Sequence, residues 1–321
     1  MIDFCILGSG VAGSTIANLL SKKYKVEIFD KARGPGGRSS NKRYKDNLSF
    51  DHGMQYISPR SNQFQKYIKT LQKNKVLKIW EGNHLDFTFK KKENLKKFIG
   101  VRANNSLSKY NLKKIKQNYK SKIKKIYFNK YFWKVYLENG KNFEAKSLIL
   151  TCPFPQLKIL AKRYLSKKFL NSKIKMDPNI TLMIVVKNQK LLPLSSIKFN
   201  DDILSWASYE NSKKRFNSPH ALWTIQSSKK WAKRNINKLK KSKKVENDLL
   251  SRFINLTGYN KKKIIFVKSH GWKYSYNSKK TLYKSYWDKK KRLGVCADWL
   301  IGPKVESAWI SANDLSTKIK D

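Results

Sequence analysis

Cysteine, acidic residues and long apolar runs are all scarce in this 321-residue chain, and each scarcity closes off a class of protein. The three cysteines, Cys5, Cys152 and Cys296, each sit in an apolar strand-like run. Their odd number and their spacing fit neither a metal site nor a disulfide framework, so buried thiols in a reducing compartment are expected. No Ser-His-Asp or Cys-His constellation stands out, so nucleophilic catalysis by a side chain is not indicated. No run approaches about 18 consecutive apolar residues, which excludes a helical membrane span. The N-terminus enters a strand almost at once, without the charged and apolar regions of a leader, and a cytoplasmic location is expected.

Acidic residues number 21 against 71 Lys and Arg, a formal net charge of +50. Such an excess points towards nucleic acid or another anionic surface. Only about ten of the basic residues are Arg, however, and Asn, Ile, Tyr and Phe are abundant, as drift towards A/T-rich codons would produce. Lysines on a solvated surface cost little, so dedicated nucleic-acid binding is not expected. The densest runs, Lys113 to Lys125 and Lys229 to Lys244, interleave apolar residues at helical spacing and read as solvated helix faces.

Glycine is concentrated where it carries information. Gly8-Ser9-Gly10-Val11-Ala12-Gly13 follows the apolar run Phe4-Cys5-Ile6-Leu7 and precedes a helix-like stretch ending at Leu20. In the G-x-G-x-x-G reading, Gly8 allows the turn out of the strand, Gly10 lets the backbone approach a pyrophosphate, and Gly13 lets helix and sheet pack closely. The phosphates would then lie on free N–H groups at the helix N-terminus, beside Ala12. A second strand, Lys25 to Phe29, ends at Asp30, placed to accept hydrogen bonds from an adenosine ribose, with Lys31 next to it.

A second cluster, Arg33-Gly34-Pro35-Gly36-Gly37-Arg38, begins three residues after Asp30. A nicotinamide-binding fingerprint needs no such cluster, whereas a second dinucleotide-contacting stretch does. Here the chain resembles the amine-oxidase-like flavoproteins, whose second FAD motif contains G-G-R-x-x-[ST]. Gly36-Gly37-Arg38 stands in that place, although Ser39 and Ser40 come early and Asn41 holds the last position. Phe50-Asp51-His52-Gly53-Met54-Gln55-Tyr56 follows as that family's F-D-x-G-x-x-[YF] does. FAD is the cofactor this resemblance implies.

The C-terminal segment carries the resemblance further. Asp298-Trp299 and Gly302-Pro303-Lys304-Val305-Glu306-Ser307-Ala308-Trp309-Ile310-Ser311 resemble the G-D-W and G-x-x-V-E-x-A-x-x-S pattern of renalase and its bacterial relatives. Departures are Ala297 for the usual Gly, Ala312 for a small Gly, and Arg102-Ala103-Asn104 where relatives carry P-G-M. The cofactor contacts implied are Gly8, Gly10, Ala12, Gly13, Asp30, Lys31, Gly37, Arg38, His52, Gly53, Met54, Gln55, Asp298, Val305, Glu306 and Ala308. The activity implied is oxidation of a dihydronicotinamide-type substrate by hydride transfer to flavin N5, with reoxidation by oxygen and no side-chain base. The alternatives are an amine or carotenoid-type oxidase and a non-catalytic nucleotide binder such as the Rab escort-type proteins.

The expected fold is α/β: a Rossmann-type FAD domain with a second, mainly antiparallel-sheet substrate domain. The FAD domain is expected from residues 1–60, 98–160 and 289–321, and the substrate domain from 61–97 and 161–288. Lys124 to Phe128, Trp133 to Leu137 and Lys141 to Ala145 predict a meander, with Glu138 to Lys141 as a hairpin turn and Ser147 to Thr151 as a returning parallel strand. Ile180 to Val186, Ile203 to Tyr209 and Ala221 to Ser227 predict antiparallel strands, and 11–22, 61–74 and 241–257 predict helices. Pocket candidates are Trp206, Asn211, Lys213, Trp223, His270 and Trp272. Aromatic walls suit a planar nicotinamide, and Lys213 and His270 could meet a ribose or phosphate. The three tryptophans have a second reading as core aromatics. The expected partner is a small molecule, an anionic nicotinamide nucleotide or an amine.

Overall fold

The computed structural model describes residues 1–45, 47–88, 96–188, 193–277 and 281–320. Parts of the expected substrate segments, 89–95, 189–192 and 278–280, lie outside the described residues.

The first sheet grows from the apolar strand Ile2–Leu7, which is buried along almost its whole length. Strands buried on both faces suit a parallel sheet, whose crossover helices cover both sides. Its order is Tyr286–Asp288, Leu293–Val295, Asn142–Leu150, Ile2–Leu7, Val26–Phe29 and Lys116–Asn118. All of these strands run parallel except the edge strand Tyr286–Asp288. The sheet therefore begins before residue 289.

Asn142–Leu150 is one continuous strand where two were expected. Its first half pairs antiparallel with Trp133–Leu137 to close the meander, and its second half pairs parallel with Ile2–Leu7. Ile16, Ala17 and Leu20 of the helix Val11–Leu20 pack with Ala308, Ala312 and Leu315 of the C-terminal helix Val305–Lys320. Phe154, Leu157, Phe169, Trp133 and Trp299 fill a second core around Leu148, Leu150 and Val295.

Lys113 to Lys125 is not a helix face. Lys116–Asn118 is the edge strand of the first sheet, and Ile123 opens the meander. Ile115 is buried, the ladder to Val26–Phe29 takes up the backbone groups, and lysines on such an edge discourage pairing with another chain. Lys229 to Lys244 is helical only over Lys229–Asn235 before turns lead to the helix Lys244–Thr257.

The second sheet has the order Ile264–Asn277, Met176–Val186, Ala221–Ser227, Leu204–Tyr209, Ser196–Lys198 and His84–Asp86. Its pairs are antiparallel except the last. Strand alternation divides its side chains between two faces. Ile180, Leu182, Ile184, Ala207, Tyr209, Trp223 and Ile225 face the helices that carry Trp231, Leu249 and Phe253. Met183, Val185 and Leu222 face the other way, onto Phe50.

Candidate active site

The glycine loop has three different geometries at its three glycines. Gly8 has φ +110°, in the left-handed region that favours glycine. A side chain at Gly13 would run into the carbonyl oxygen of Gly8, so this position is closed by the fold itself. Gly10 differs from both. A Cβ there would meet nothing nearer than the Gly36 carbonyl oxygen at 3.9 Å. Gly10 is the N-cap of Val11–Leu20 and forms a parallel bridge with Gly36, and no side chain caps the first turn of this helix.

The second glycine cluster lies against the first. The Gly36 N–H donates to the Ser9 carbonyl at 3.0 Å, and a side chain at Gly37 would sit 3.3 Å from the Gly10 Cα. Asp30, at the end of the second strand, accepts from the Ser9 N–H and hydroxyl, both at 2.7 Å, and from the Ala32 N–H at 2.9 Å. The carboxylate therefore orders the glycine loop as well as standing beside it. Ala12 is buried in the first helical turn, and Lys31 is exposed.

Arg38 and Asp298, expected as separate cofactor contacts, form a pair. The guanidinium donates two bonds to the carboxylate, at 2.9 and 2.5 Å, and a third to the Ser275 carbonyl at 2.7 Å. Glu306 also has a place in the scaffold. Its carboxylate accepts from the N–H groups of Arg60 and Ser61 at 2.9 and 2.8 Å, immediately before the helix Asn62–Lys73. Val305 packs on the Phe64 and Ile68 cluster, while Ala308 packs with the first helix.

The segment 50–56 joins the two sheets. Met54 N–H donates to the Arg38 carbonyl at 2.8 Å, and a side chain at Gly53 would strike that same carbonyl. The Gln226 amide donates to the Gly53 carbonyl at 2.7 Å, and the Trp272 indole to the His52 carbonyl at 3.0 Å. Gln55 donates to the carbonyls of Asp51 and Gly53, leaving its buried Oε1 without a partner. Asn104, in the segment that departs from the renalase-like pattern, donates to the carbonyls of Met54 and Gln55 at 2.8 and 2.9 Å.

Beneath this segment lies an ion network that sequence reasoning missed. Lys213 is fully buried, with its ammonium 3.0 Å from Asp51 and 2.9 and 3.0 Å from the two oxygens of Glu210. Arg215 donates to Asp51 at 2.5 Å and to the Gly100 carbonyl. Burial works to raise the Asp51 carboxyl, but Arg215 and Lys213 hold it well below the usual carboxylate range. Glu210 goes the other way: burial raises it, Lys213 offsets only part of this, and Asp51 adds to the rise. The signal available in sequence was Asp51 itself, the one acid of the 50–56 motif.

Three pocket candidates are thereby corrected. Lys213 faces carboxylates inside the protein and is not available to a ribose or phosphate. Asn211 uses its amide to close the turn, donating to the His220 carbonyl and accepting from the Leu222 N–H, each at 2.9 Å. Trp223 stands on the helix-covered face, donating to the Tyr259 hydroxyl at 3.0 Å among Tyr209 and Phe253.

The other three candidates share the opposite face. His270, Thr181, Gln226 and Trp206 are cross-strand neighbours in one row, continued by Lys198 and Asp86. At one end of the row the His52 ring lies 4.9 Å from His270 and 5.2 Å from Trp272. At the other end Trp206 lies 5.5 Å from Tyr56, which in turn neighbours Trp80. The indole N–H of Trp206 is buried without a partner. Burial, and then the neighbouring His270, push His52 down to about 4, and burial and Lys42 lower His270. Both imidazoles are therefore uncharged at neutral pH. The arrangement is a polar-centred platform with an aromatic group at each end, next to the 50–56 segment.

Residues 6–71 match the family model of the NAD(P)-binding Rossmann-like domain. An uncharacterized protein of Methanocaldococcus jannaschii is 35% identical over 83 residues, which are 25% of this chain and 22% of that relative's length. Solved structures match along the whole chain. A candidate protoporphyrinogen oxidase from Exiguobacterium sp. 255-15 superimposes with TM-score 0.75, 10% identity and coverage of 99% of this chain and 98% of the other. Putrescine oxidase bound to putrescine gives TM-score 0.70 at 11% identity, with 99% of each chain covered. The chain therefore shares its fold with these oxidase structures. Among the described residues, no helix is long and apolar enough to cross a membrane.

Proposed function

We propose that this chain is an FAD-dependent oxidoreductase that takes a hydride from a dihydronicotinamide-type substrate, as its resemblance to the renalase-like flavoproteins implies. The observation that carries the cofactor assignment is the pair of glycine clusters, joined from Gly36 to Ser9, beside an open Gly10 and an uncapped helix N-terminus. These residues fit a dinucleotide: the first-turn N–H groups of Val11, Ala12 and Gly13 would hold phosphate, and Asp30 would face a ribose. When bound, FAD accepts a hydride at N5 and delivers two electrons to oxygen or another acceptor.

The role of the chain is then binding and orientation. Segment 50–56 and the Arg38–Asp298 pair would frame the cofactor's site, and the row from His270 to Trp206 would present the substrate. Two neutral histidines and Gln226 supply hydrogen-bonding groups without a charged base, which suits a substrate that gives up hydride unaided. The division into an FAD domain (1–60, 98–160 and, with the strand Tyr286–Asp288 included, 286–321) and a substrate domain (61–97, 161–285), and a cytoplasmic location, belong to the same proposal. Likeness to putrescine oxidase favours an amine as the second reading.

Purified protein is expected to be yellow, and acid precipitation to release the colour, because Cys5 and Cys296 are fully buried and no cysteine lies in a segment expected to face the flavin edge. Anaerobic mixing with dihydronicotinamide isomers is expected to bleach the flavin, and mixing with amines to leave it oxidised. A colourless protein would overturn the cofactor assignment; bleaching by amines alone would replace the first substrate class with the second.

A further inference from the structure

The charges around the substrate platform do not cancel. Asp51 and Glu210 are matched by Lys213 and Arg215, Asp298 is held by Arg38, and Asp86 pairs with Lys198 at 3.2 Å. These four carboxylates flank the platform, and each already has its cation. An ammonium substrate would find none of them free.

Lys42 is different. It is half-buried and has no ion-pair or hydrogen-bond partner among the described residues. It stands opposite Phe50 in the short hairpin of Lys42–Arg43 with Ser49–Phe50, so the two side chains share a face. Phe50 packs on Phe266, Met183, Val185 and Leu222, on the same side of the second sheet as His270. Lys42 is thus directed to the end of the platform where His52 and His270 meet, and its charge bears on both rings. The Ser40 hydroxyl lies 3.5 Å from His52 Nε2. Exposed Lys268 precedes His270 by two positions on the same face.

We propose that Lys42, with Ser40, His52 and His270, forms a subsite for a phosphate group of the substrate, so that this platform selects an anion over an amine. The proposal rests on the flavoenzyme reading given above for its substrate, but not for its anion. The Lys42 ammonium, without an ion-pair partner among the described residues, supplies the charge, and a hydroxyl and two neutral imidazoles supply N–H and O–H donors that turn to suit. A phosphate held there would favour the protonated form of each ring. The groups facing the rings are Trp272, Lys42, Lys268 and, behind His52, the paired Asp51.

Two measurements on the flavin-loaded protein test this. The first is titration with inorganic phosphate, read by the ring C–H signals of the four histidines, assigned through single His→Gln variants. Signals of His52 and His270 are expected to move in wild type and to stay still in Lys42→Met, while His84 and His220 stay still in both. Signals of His52 and His270 that ignore phosphate, or that move equally in Lys42→Met, overturn the subsite. The second compares KM for dihydronicotinamide mononucleotide, which carries phosphate, and for the riboside, which does not. Lys42→Met is expected to raise the first about tenfold more than the second, equivalent to about 1.4 kcal/mol. Exposed Lys22→Met, removing the same charge elsewhere, is expected to leave that ratio within about twofold. Equal changes for both substrates in Lys42→Met overturn phosphate recognition. Loss of the dihydronicotinamide reading would look different: neither the mononucleotide nor the riboside would bleach the flavin, and the phosphate titration would still decide the subsite.

Discussion

The glycine-loop end, proposed to hold the nucleotide, and the platform from His270 to Trp206, proposed to hold the substrate, are built by opposite means. Around Gly8, Gly10, Gly13 and Gly36 the contacts are made by backbone, and what matters is which side chains are missing. On the platform the contacts are made by side chains from segments as far apart as 52, 206, 226 and 270. A backbone site can be encoded in a dozen consecutive residues; a side-chain site needs the whole second sheet in register.

The comparison breaks most visibly at Lys213. Replacing Lys213 by Met leaves the buried carboxylates of Asp51 and Glu210 with Arg215 as the nearest compensation, and removal of one partner from a buried ion pair costs about 3–5 kcal/mol. A loss of that size in urea unfolding is expected. A loss below about 1 kcal/mol would mean that the network is not closed to water.

Acid offers a second way in. His52 titrates near 4 when folded and near 6.5 in a free chain, so the unfolded state binds the extra proton between those values. Stability from this group is complete above about pH 6.5 and is lost as pH falls towards 4, a change of about 3 kcal/mol at most. Asp51, whose folded pKa is depressed, adds a further loss only below about pH 4. His52→Phe is expected to flatten the pH dependence of the urea midpoint between 6.5 and 4. An unchanged slope would place the ring in solvent.

The nucleotide end is sharpened by a pair of alanines. Gly13→Ala forces a methyl against the Gly8 carbonyl, and a loss of about 1–3 kcal/mol is expected. Gly10→Ala meets no protein atom within 3.9 Å, so its melting temperature without flavin is expected to match wild type, while its flavin content falls. Equal flavin content in wild type and the Gly10 variant would remove this loop from the cofactor site.

Much of the fold was legible because it rests on short-range patterns. The strand Ile2–Leu7, the helix Val11–Leu20, the first two strands of the meander and the strands Leu204–Tyr209 and Ala221–Ser227 lie within a residue or two of where alternation and glycine placed them, while Met176–Val186 starts well before the expected Ile180. The lysine-rich stretch at 113–125 misled, since its few apolar residues fit helical spacing as well as an edge strand. Trp206 and Trp223 show the limit at the platform. Both sit on adjacent strands, yet Trp223 pairs with Tyr209, three residues past Trp206, and an odd offset sends the two indoles to opposite faces. Lys213 follows the same strand closely enough to suggest the pocket, but the short turn Glu210–Lys213 carries it inside to a carboxylate 162 residues away.

By itself, the sequence determined the glycine-loop end: glycine spacing, strand and helix propensity and the acid at position 30 act within about thirty residues, and the backbone they specify is the proposed nucleotide site. Only tertiary structure decided the platform from His270 to Trp206. Which of the aromatic and charged residues face it depends on the parity of strands paired across long sequence distances. Which charges remain unmatched depends on partners such as Asp51 and Lys213, which meet only when the two sheets close on segment 50–56.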